Sequence, residues 1–215
     1  SMTLAIYCAG GLGKEVVAVA RGVSHWDYII FVDDITEVQW YEGARVVRFE
    51  EVGTLADEVE FVIANGEPAV RETLYQKIKG AGYRMATILG LGCNVLPGTT
   101  IGEGCILYDC GISAGVTIAP NVLINTKAIV GHDTVIGAHT VISAFCFLGG
   151  KTQVGERVYF APGSIAKDHI TVGDDAIISL GAVLFRDADA KSVMVGNPAR
   201  WIGENTEGKV FGIFG

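Results

Sequence analysis

Residues 128–148 read AIVGHDTVIGAHTVISAFCFL, and a large apolar residue stands there at every sixth position. The same spacing continues in both directions along the chain. The residues in this register are Ile106, Ile112, Ile118, Ile124, Val130, Ile136, Ile142, Leu148, Val154, Phe160, Ala166, Val172, Ile178 and Leu184. Two positions earlier stand mostly small or β-branched residues, such as Ala128 and Thr134, and a glycine often follows the large residue, as at Gly131.

A period of six differs from the period of about 3.6 of a helix and from the alternation of a simple strand. It is typical of short strands that turn a corner every six residues, three of which make one triangular coil. We expect glycines at the corners to supply positive φ angles. The sequence therefore predicts a left-handed parallel β-helix of hexapeptide repeats, from near Val95 to near Asp187. Ile101 and Leu107 lie one residue out of register, which predicts a deletion or irregular corner within 108–111.

The chain before the repeats has a different pattern, in which apolar strand-like runs alternate with helical ones. The predicted elements are strands at Leu4–Cys8, Tyr28–Val32 and Phe61–Ala64 and helices at Lys14–Arg21 and Ala69–Lys79. Such alternation predicts an α/β, Rossmann-like subdomain with a parallel sheet. We divide the chain into an α/β domain over residues 1–87, a β-helix over 88–202 and a C-terminal tail over 203–215.

Composition argues against nucleic acid, membranes and zinc as partners. A formal charge of −8 and a pI near 5.0 disfavour nucleic acid as a partner. No run resembles an apolar membrane span of about 20 residues, and we expect no membrane association and a soluble, cytoplasmic protein. The five cysteines form no C-x-x-C pair, so we expect them reduced and without zinc.

A glycine-rich turn follows the first predicted strand and opens a helix: Cys8-Ala9-Gly10-Gly11-Leu12-Gly13. Backbone amides at a helix N-terminus bind phosphate groups, so the turn indicates a bound nucleotide. Asp33 lies about twenty residues further on, a spacing that dinucleotide sites share, and NAD binding stays open on this pattern. The alternative is a tight turn with a purely structural role.

The histidines are the candidates for acid–base chemistry. His132 falls two positions after Val130, so its side chain should point away from the β-helix interior, and Asp133 beside it would orient the imidazole. The alternative is a surface histidine at a polar corner. His139 and His169 should also project outward, but neither has comparable surroundings. We expect no metal site, because three converging ligands are not visible.

Several motifs in order make the whole chain, from Leu4 to Ile202, resemble a known family. They are Ala-Gly-Gly-Leu-Gly-Lys at 9–14, Phe-Val-Asp-Asp at 31–34, Asn-Gly-Glu at 65–67, Asn-Thr at 125–126 before His-Asp at 132–133, and Val-Gly-Asn-Pro-Ala-Arg at 195–200. The sequence is similar to the sugar O-acyltransferases and nucleotide-amino-sugar N-acetyltransferases, the group of the sialic acid O-acetyltransferases and of the bacillosamine and perosamine N-acetyltransferases. It departs from them at Val141, where a second histidine is common, and at Leu12, where histidine or phenylalanine is common.

The resemblance implies a homotrimer with active sites between subunits, a nucleotide sugar held by the N-terminal domain and acetyl-CoA along the β-helix. It assigns His132 as catalytic base and Asp133 as its acidic neighbour. The implied substrate-binding residues are Gly10, Gly11, Gly13, Asp33, Asp34, Gly66 and Asn125. Gly150, with an amide that meets the thioester carbonyl, and Gly181 are the implied acetyl-CoA contacts.

The function that follows is acetyl-CoA-dependent N-acetylation of the 4-amino group of a nucleotide-linked amino-dideoxy sugar, a step of bacterial surface glycan and O-antigen biosynthesis. His132 would take the proton of the attacking amine without a covalent intermediate. Three alternatives stay open: a sugar O-acetyltransferase of the sialic acid type, a nucleotide-sugar oxidoreductase, and a non-catalytic nucleotide-sugar-binding protein.

Overall fold

The computed structural model describes residues 1–211 of the 215-residue chain. Its N-terminal part is an α/β layer, as the sequence predicts. The elements are β1 (Met2–Tyr7), α1 (Gly11–Val23), β2 (Tyr28–Val32), β3 (Trp40–Tyr41), β4 (Ala44–Val47), a 3-10 turn (Phe49–Glu51), α2 (Val52–Leu55), β5 (Glu58–Ile63), α3 (Pro68–Gly80) and β6 (Arg84–Met85). The sheet order is β3-β4-β2-β1-β5-β6, and all neighbours except the β3–β4 hairpin pair in parallel.

The predicted N-terminal elements are present with shifted ends. The strand at Tyr28–Val32 lies where the sequence places it, whereas the helix predicted at Lys14–Arg21 runs from Gly11 to Val23. The β3–β4 hairpin and β6 were not predicted, because strands of two to four residues are too short to show alternation.

The rest of the chain is a left-handed parallel β-helix built of short strands. These are β7 (Ile88–Leu89), β8 (Asn94–Val95), β9 (Thr100–Ile101), β10 (Ile106–Leu107), β11 (Gly111–Ile112), β12 (Thr117–Ile118), β13 (Leu123–Ile124), β14 (Ile129–Val130), β15 (Val135–Ile136), β16 (Val141–Ile142), β17 (Phe147–Leu148), β18 (Gln153–Val154), β19 (Tyr159–Phe160), β20 (Ile165–Ala166), β21 (Thr171–Val172), β22 (Ile177–Ile178), β23 (Val183–Leu184), β24 (Ser192–Val195) and β25 (Arg200–Glu204).

These strands form three faces. The first face is β7-β10-β13-β16-β19-β22-β24-β25, the second is β8-β11-β14-β17-β20-β23, and the third is β9-β12-β15-β18-β21. Along the first face Leu123 pairs with Val141, eighteen residues on, but Ile106 pairs with Leu123, only seventeen on. The missing residue lies in the corner between β10 and β11, which confirms the predicted irregularity within 108–111.

The β-helix extends beyond the predicted repeats at both ends. Its first strand is Ile88–Leu89, one strand before Val95, because the displaced upstream register hides that strand. At the other end β24 still pairs with β22 in parallel, beyond Asp187, and β25 folds back antiparallel on β24 and ends at Glu204. Residues 212–215 of the predicted tail lie outside the described part.

The repeat glycines serve two purposes. At some corners, such as that of Gly98 with φ 79°, glycine supplies the positive φ as predicted. A Cβ on Gly131 would instead lie within 3.0 Å of the Gly150 backbone nitrogen in the next coil, and Gly137 meets the backbone of the next coil in the same way. At those corners the positive φ belongs to the residue two places later, such as Asp133 with φ 57°. Gly131 and Gly137 are therefore required by close stacking of the coils.

The N-terminal domain packs on the first face. The outward residues of that face, among them Leu123, Val141 and Ile177, are buried in one apolar cluster with Ile6 and Val16 of the N-terminal domain. The second face instead presents exposed apolar side chains, which are Ile129, Phe147 and Ile165. No helix within residues 1–211 has the length and apolarity needed to span a membrane.

Candidate functional site

His132 occupies the corner between the second and third faces. It follows β14, and its side chain is 58% exposed, as its place in the repeat predicts. The Nδ1 atom lies 2.9 Å from Oδ2 of Asp133. When Nδ1–H donates to that carboxylate, the lone pair of Nε2 is left free, and Nε2 is the atom that can accept a proton.

Gly150 lies against this imidazole, one coil further along the same corner. A Cβ on Gly150 would lie 2.5 Å from His132 Nε2, so any residue other than glycine would clash with the imidazole in this position. The carbonyl of His132 accepts the amide of Lys151 at 2.7 Å, which fixes the two coils relative to each other. The free imidazole edge and the backbone of Gly150 thus meet at one point of the surface.

A cavity of about 920 Å³ lies beside this packed junction and is lined by both the N-terminal domain and the first face. One wall comes from the carboxyl ends of β1 and β5, the edge where parallel sheets bind ligands. The opposite wall comes from the β-helix. The lining residues are Cys8, Ala9, Gly10, Gly11, Leu12, Asp33, Ile35, Thr36, Ala64, Asn65, Gly66, Glu67, Leu123, Asn125, Val141, Ser143, Ala144, Tyr159, Pro162 and Phe211.

The N-terminus of α1 faces this cavity. Gly10 is the N-cap residue of α1. No side chain caps this end of the helix, and the first turn contains no acidic residue. The first amides of the helix and its dipole are therefore available to an anionic group. A Cβ on Gly10 or Gly11 would meet nothing within 4 Å, which leaves open space for a ligand beside the turn.

Asp33 organises the loops around that turn. Its Oδ2 accepts the amide of Ala9 at 2.9 Å, and its Oδ1 accepts the amides of Ile35 and Thr36 at 2.9 and 3.0 Å. Burial alone would raise the pKa of Asp33, but these three amides outweigh it and hold the pKa below its usual value. The carboxylate is thus charged at neutral pH and fixes two cavity loops.

Four of the predicted ligand residues do not line the cavity: Gly150, which lies against His132, and Gly13, Asp34 and Gly181. Gly13 is buried in α1, where a Cβ would come within 2.6 Å of the Cys8 carbonyl, so this glycine serves helix packing. The Asp34 carboxylate bonds to the Tyr7 hydroxyl and to Lys77 Nζ, 3.0 Å away. Gly181, with φ 63°, lies at the corner between the first and second faces, away from the corner of Gly150.

A buried arginine that the sequence analysis missed supports the cavity floor. Arg71 of α3 is fully buried, and its guanidinium donates to the carbonyls of Ile63 (2.6 Å), Asn65 (3.0 Å) and Asn121 (3.0 Å), and to the Asn121 side chain (2.9 Å). Burial lowers the pKa of Arg71 to about 10, and the side chain remains charged at neutral pH. An arginine at a polar-looking helix position gives no sequence signal for such a role.

His139 points away from the β-helix interior, as predicted, but α3 covers it. It is 7% exposed beneath α3, with Nδ1 at 2.9 Å from Asn121 Nδ2 and its ring 5.3 Å from that of Tyr75. Burial lowers its pKa, so it is a neutral packing residue. His169 is exposed and pairs with Asp168 at 2.7 Å. Among the described residues no cluster of three or more His, Cys, Asp or Glu side chains suits a metal ion.

The His132–Asp133 pair and the cavity are separated within one chain. His132 and Asp133 do not line the described cavity, whereas Asn125 does, from the corner between the first and second faces. The two corners stand at opposite edges of the second face, which is the face with exposed apolar side chains. Val141 and Leu12, the two departures from the family pattern, both line the cavity and make its wall apolar there.

Comparison with known proteins places this architecture among acetyltransferases. Residues 3–78 match the model of the PglD N-terminal domain. The chain is 28% identical, over 89% of its own length and 81% of the relative's, to a GDP-perosamine N-acetyltransferase of Escherichia coli O157:H7.

Two solved structures superpose on almost the whole chain. The acetyltransferase domain of PglB from Neisseria gonorrhoeae FA1090, in complex with acetyl coenzyme A, has a TM-score of 0.89 at 27% identity, covering 93% of this chain and 98% of that one. PerB from Caulobacter crescentus, in complex with CoA and GDP-perosamine, has a TM-score of 0.88 at 26% identity, covering 94% and 97%. The predicted fold and the predicted resemblance are confirmed: the chain is similar over most of its length to hexapeptide-repeat acetyltransferases, and its first part matches the PglD N-terminal domain.

Proposed function

We propose that this protein transfers the acetyl group of acetyl-CoA to the 4-amino group of a nucleotide-linked amino-dideoxy sugar. The observation that carries the proposal is the corner where the His132–Asp133 pair meets the backbone of Gly150. An acyl transfer to an amine needs a proton acceptor and a fixed donor for the carbonyl oxygen, and this corner offers both. The N-acetyltransferase class of the relatives supports the same reaction.

In the proposed reaction the sugar amine attacks the thioester carbon. The N–C bond forms as the carbonyl electron pair moves onto the oxygen. The C–S bond then breaks as the carbonyl re-forms, and CoA leaves as the thiol after taking up the proton that His132 accepted. Nε2 of His132 accepts the proton of the amine, while Asp133 stabilises the imidazolium. The Gly150 amide donates to the carbonyl oxygen as negative charge develops there, which contributes about 3 kcal/mol by analogy with other oxyanion donors.

The cavity is the proposed site of the nucleotide sugar. Its α1 end, with Gly10 and Gly11, suits the diphosphate, and its β-helix wall, with Asn125 and Ser143, suits the sugar. PerB, which shares this fold, was solved with CoA and GDP-perosamine, and this supports a nucleotide sugar as the ligand. A cavity of about 920 Å³ is ample for such a ligand.

The proposed enzyme is a homotrimer with shared active sites. In one chain the His132 corner lies away from the cavity, yet proton transfer requires a separation of about 3 Å. A neighbouring copy that covers the apolar residues of the second face would bring its corner to the cavity of the first copy. Sedimentation or light scattering gives the subunit number, and a monomer with full activity would refute the shared site.

Complementation tests the shared site directly. His132→Ala removes the base, and Gly11→Phe fills the cavity from a position where a Cβ meets nothing within 4 Å. If each site combines two chains, a co-refolded mixture of the two inactive variants regains a fraction of native activity. If both parts act within one chain, the mixture stays inactive.

The activity is tested by thiol release from acetyl-CoA with UDP-, dTDP- and GDP-linked 4-amino sugars and their 4-hydroxy counterparts. The matched control for His132→Ala is His169→Ala, since His169 is equally exposed and also paired with an aspartate. Release with an amino sugar that is lost only in His132→Ala supports the proposal. Release only with hydroxyl compounds shows an O-acetyltransferase, and specific binding without release shows a non-catalytic protein.

A further inference from the structure

The segment Asn205–Phe211, called here the C-terminal segment, returns from the β-helix to the N-terminal domain. It begins on the β-helix, where Asn205 donates from its backbone amide to Lys191 O at 2.7 Å and from Nδ2 to Asp175 O at 2.9 Å. Gly208 then turns with φ 66° and donates to Asn205 Oδ1 at 3.0 Å. The segment therefore has a defined path across the junction of the two parts.

Glu67 holds the far end of the C-terminal segment. One carboxylate oxygen accepts the amide of Val210 at 2.7 Å and the other accepts the amide of Phe211 at 3.0 Å. Val210 is buried in the apolar cluster shared by the N-terminal domain and the first face. Glu67 stands at the N-terminus of α3 and also lines the cavity, so the clamp is part of the cavity rim.

The clamp places the ring of Phe211 in the cavity wall. The ring lies edge-on to Tyr159 of the β-helix, with 5.6 Å between centroids, and a Cβ on Gly66 would stand 3.2 Å from Phe211 Cζ. Gly66 thus makes room for this ring. Phe211 remains 58% exposed, which leaves most of the ring free for a further contact.

We propose that Phe211 is a specificity-determining residue that packs against the sugar of the substrate. This inference deepens the proposed function and depends on it. The ring lies against Tyr159 on the β-helix wall of the cavity, the wall that the proposed function assigns to the sugar. A dideoxy sugar presents C–H and methyl surface in place of a hydroxyl, and an aromatic face adds apolar contact there.

The test compares Phe211→Ala and Phe211→Leu with the native protein. Calorimetric titration with the nucleotide sugar that supports turnover, and with the matching free nucleoside diphosphate, separates the sugar contact from the nucleotide contact. Steady-state rates give kcat and the KM of each substrate. Tyr28→Ala is the control, because Tyr28 is an aromatic residue of similar exposure that does not line the cavity.

The expected result is a loss of about tenfold in affinity for the nucleotide sugar in Phe211→Ala, smaller in Phe211→Leu. The affinity for the free nucleoside diphosphate, the KM for acetyl-CoA and kcat should change less than about twofold. Glu67→Ala should lower the affinity for the nucleotide sugar in the same way. The double variant should lose no more affinity than the weaker-binding single variant, because both changes remove the same contact.

Two results would overturn the inference. Unchanged affinity for the nucleotide sugar in Phe211→Ala would show that the ring does not touch the ligand. An equal loss for the sugar nucleotide and the free nucleoside diphosphate would show that it packs on the nucleotide or only shapes the fold. A native protein that binds the nucleoside diphosphate but no nucleotide sugar would refute the proposed function itself. That result is seen without any variant, so failure of the proposed function is distinguished from failure of the inference about Phe211.

Discussion

Replacing Gly150 with alanine tests the His132 corner with a single methyl group. The added Cβ would lie 2.5 Å from Nε2 and 2.7 Å from Cδ2 of the imidazole, whereas ordinary contact begins at 3.4 Å. The obstructing atoms belong to an exposed side chain, so the ring yields by about 1 Å and the fold remains. A misplacement of about 1 Å in a catalytic group costs about 10²-fold in rate. The Gly150 amide itself is retained, so a lower rate is caused by the displacement of His132.

The assay is steady-state thiol release at saturating substrates, with thermal unfolding measured on the same preparations. We expect kcat of Gly150→Ala to fall about 10²-fold with a nearly unchanged Tm. Gly203→Ala, where a Cβ meets nothing within 4 Å, should match the native protein in both measurements. Gly131→Ala should instead lower the Tm, because its Cβ would meet the backbone of Gly150. Native turnover in a folded Gly150→Ala would refute the assignment of His132 as base.

Three further predictions concern single side chains. His132→Ala should lower kcat about 10²- to 10⁴-fold with little change in the KM of either substrate, measured by the same assay. Arg71→Met should lower the free energy of unfolding by at least about 3 kcal/mol in urea titrations, since it leaves four buried carbonyl acceptors without a donor. The pKa of Asp33 is lowered in the folded protein, so its stabilising effect is present above the unfolded pKa of about 3.9 and is lost as the pH falls through the folded pKa. The Tm of Asp33→Asn should therefore fall less steeply than the native Tm below about pH 4, and parallel Tm profiles would contradict this.

The fold was predictable because its determinants are local and repeated. Each coil buries the same apolar position, so the residues from Ile112 to Leu184 give one signal many times over. The stacking role of Gly131 and Gly137 was not predictable. A Cβ at either position would clash with the backbone of the next coil, which is distant in the sequence. The start of the repeats was predicted one strand too late, near Val95, since one deleted residue within 108–111 shifts the register of everything upstream.

The site was predictable only where its residues carry a motif. The His132–Asp133 pair and the glycine turn at Gly10 and Gly11 lie where the sequence placed them, although their catalytic and binding roles remain predictions. Arg71 and Phe211 escaped notice because their positions depend on partners from distant parts of the chain. Phe211 reaches the cavity only through Glu67, more than a hundred residues earlier, and no local pattern records that contact.

The separation of His132 from the cavity has a consequence for how activity depends on assembly. A single chain holds a folded cavity and a folded catalytic corner, each stabilised by its own contacts, so isolated chains should keep binding the nucleotide sugar. In the proposed reaction both must come within about 3 Å, and a neighbouring copy would bring them together. A polar substitution at Phe147, at the centre of the exposed apolar residues of the second face, should therefore abolish turnover and lower the subunit number together. Nucleotide-sugar affinity that survives in such a variant would distinguish a lost assembly from a lost fold.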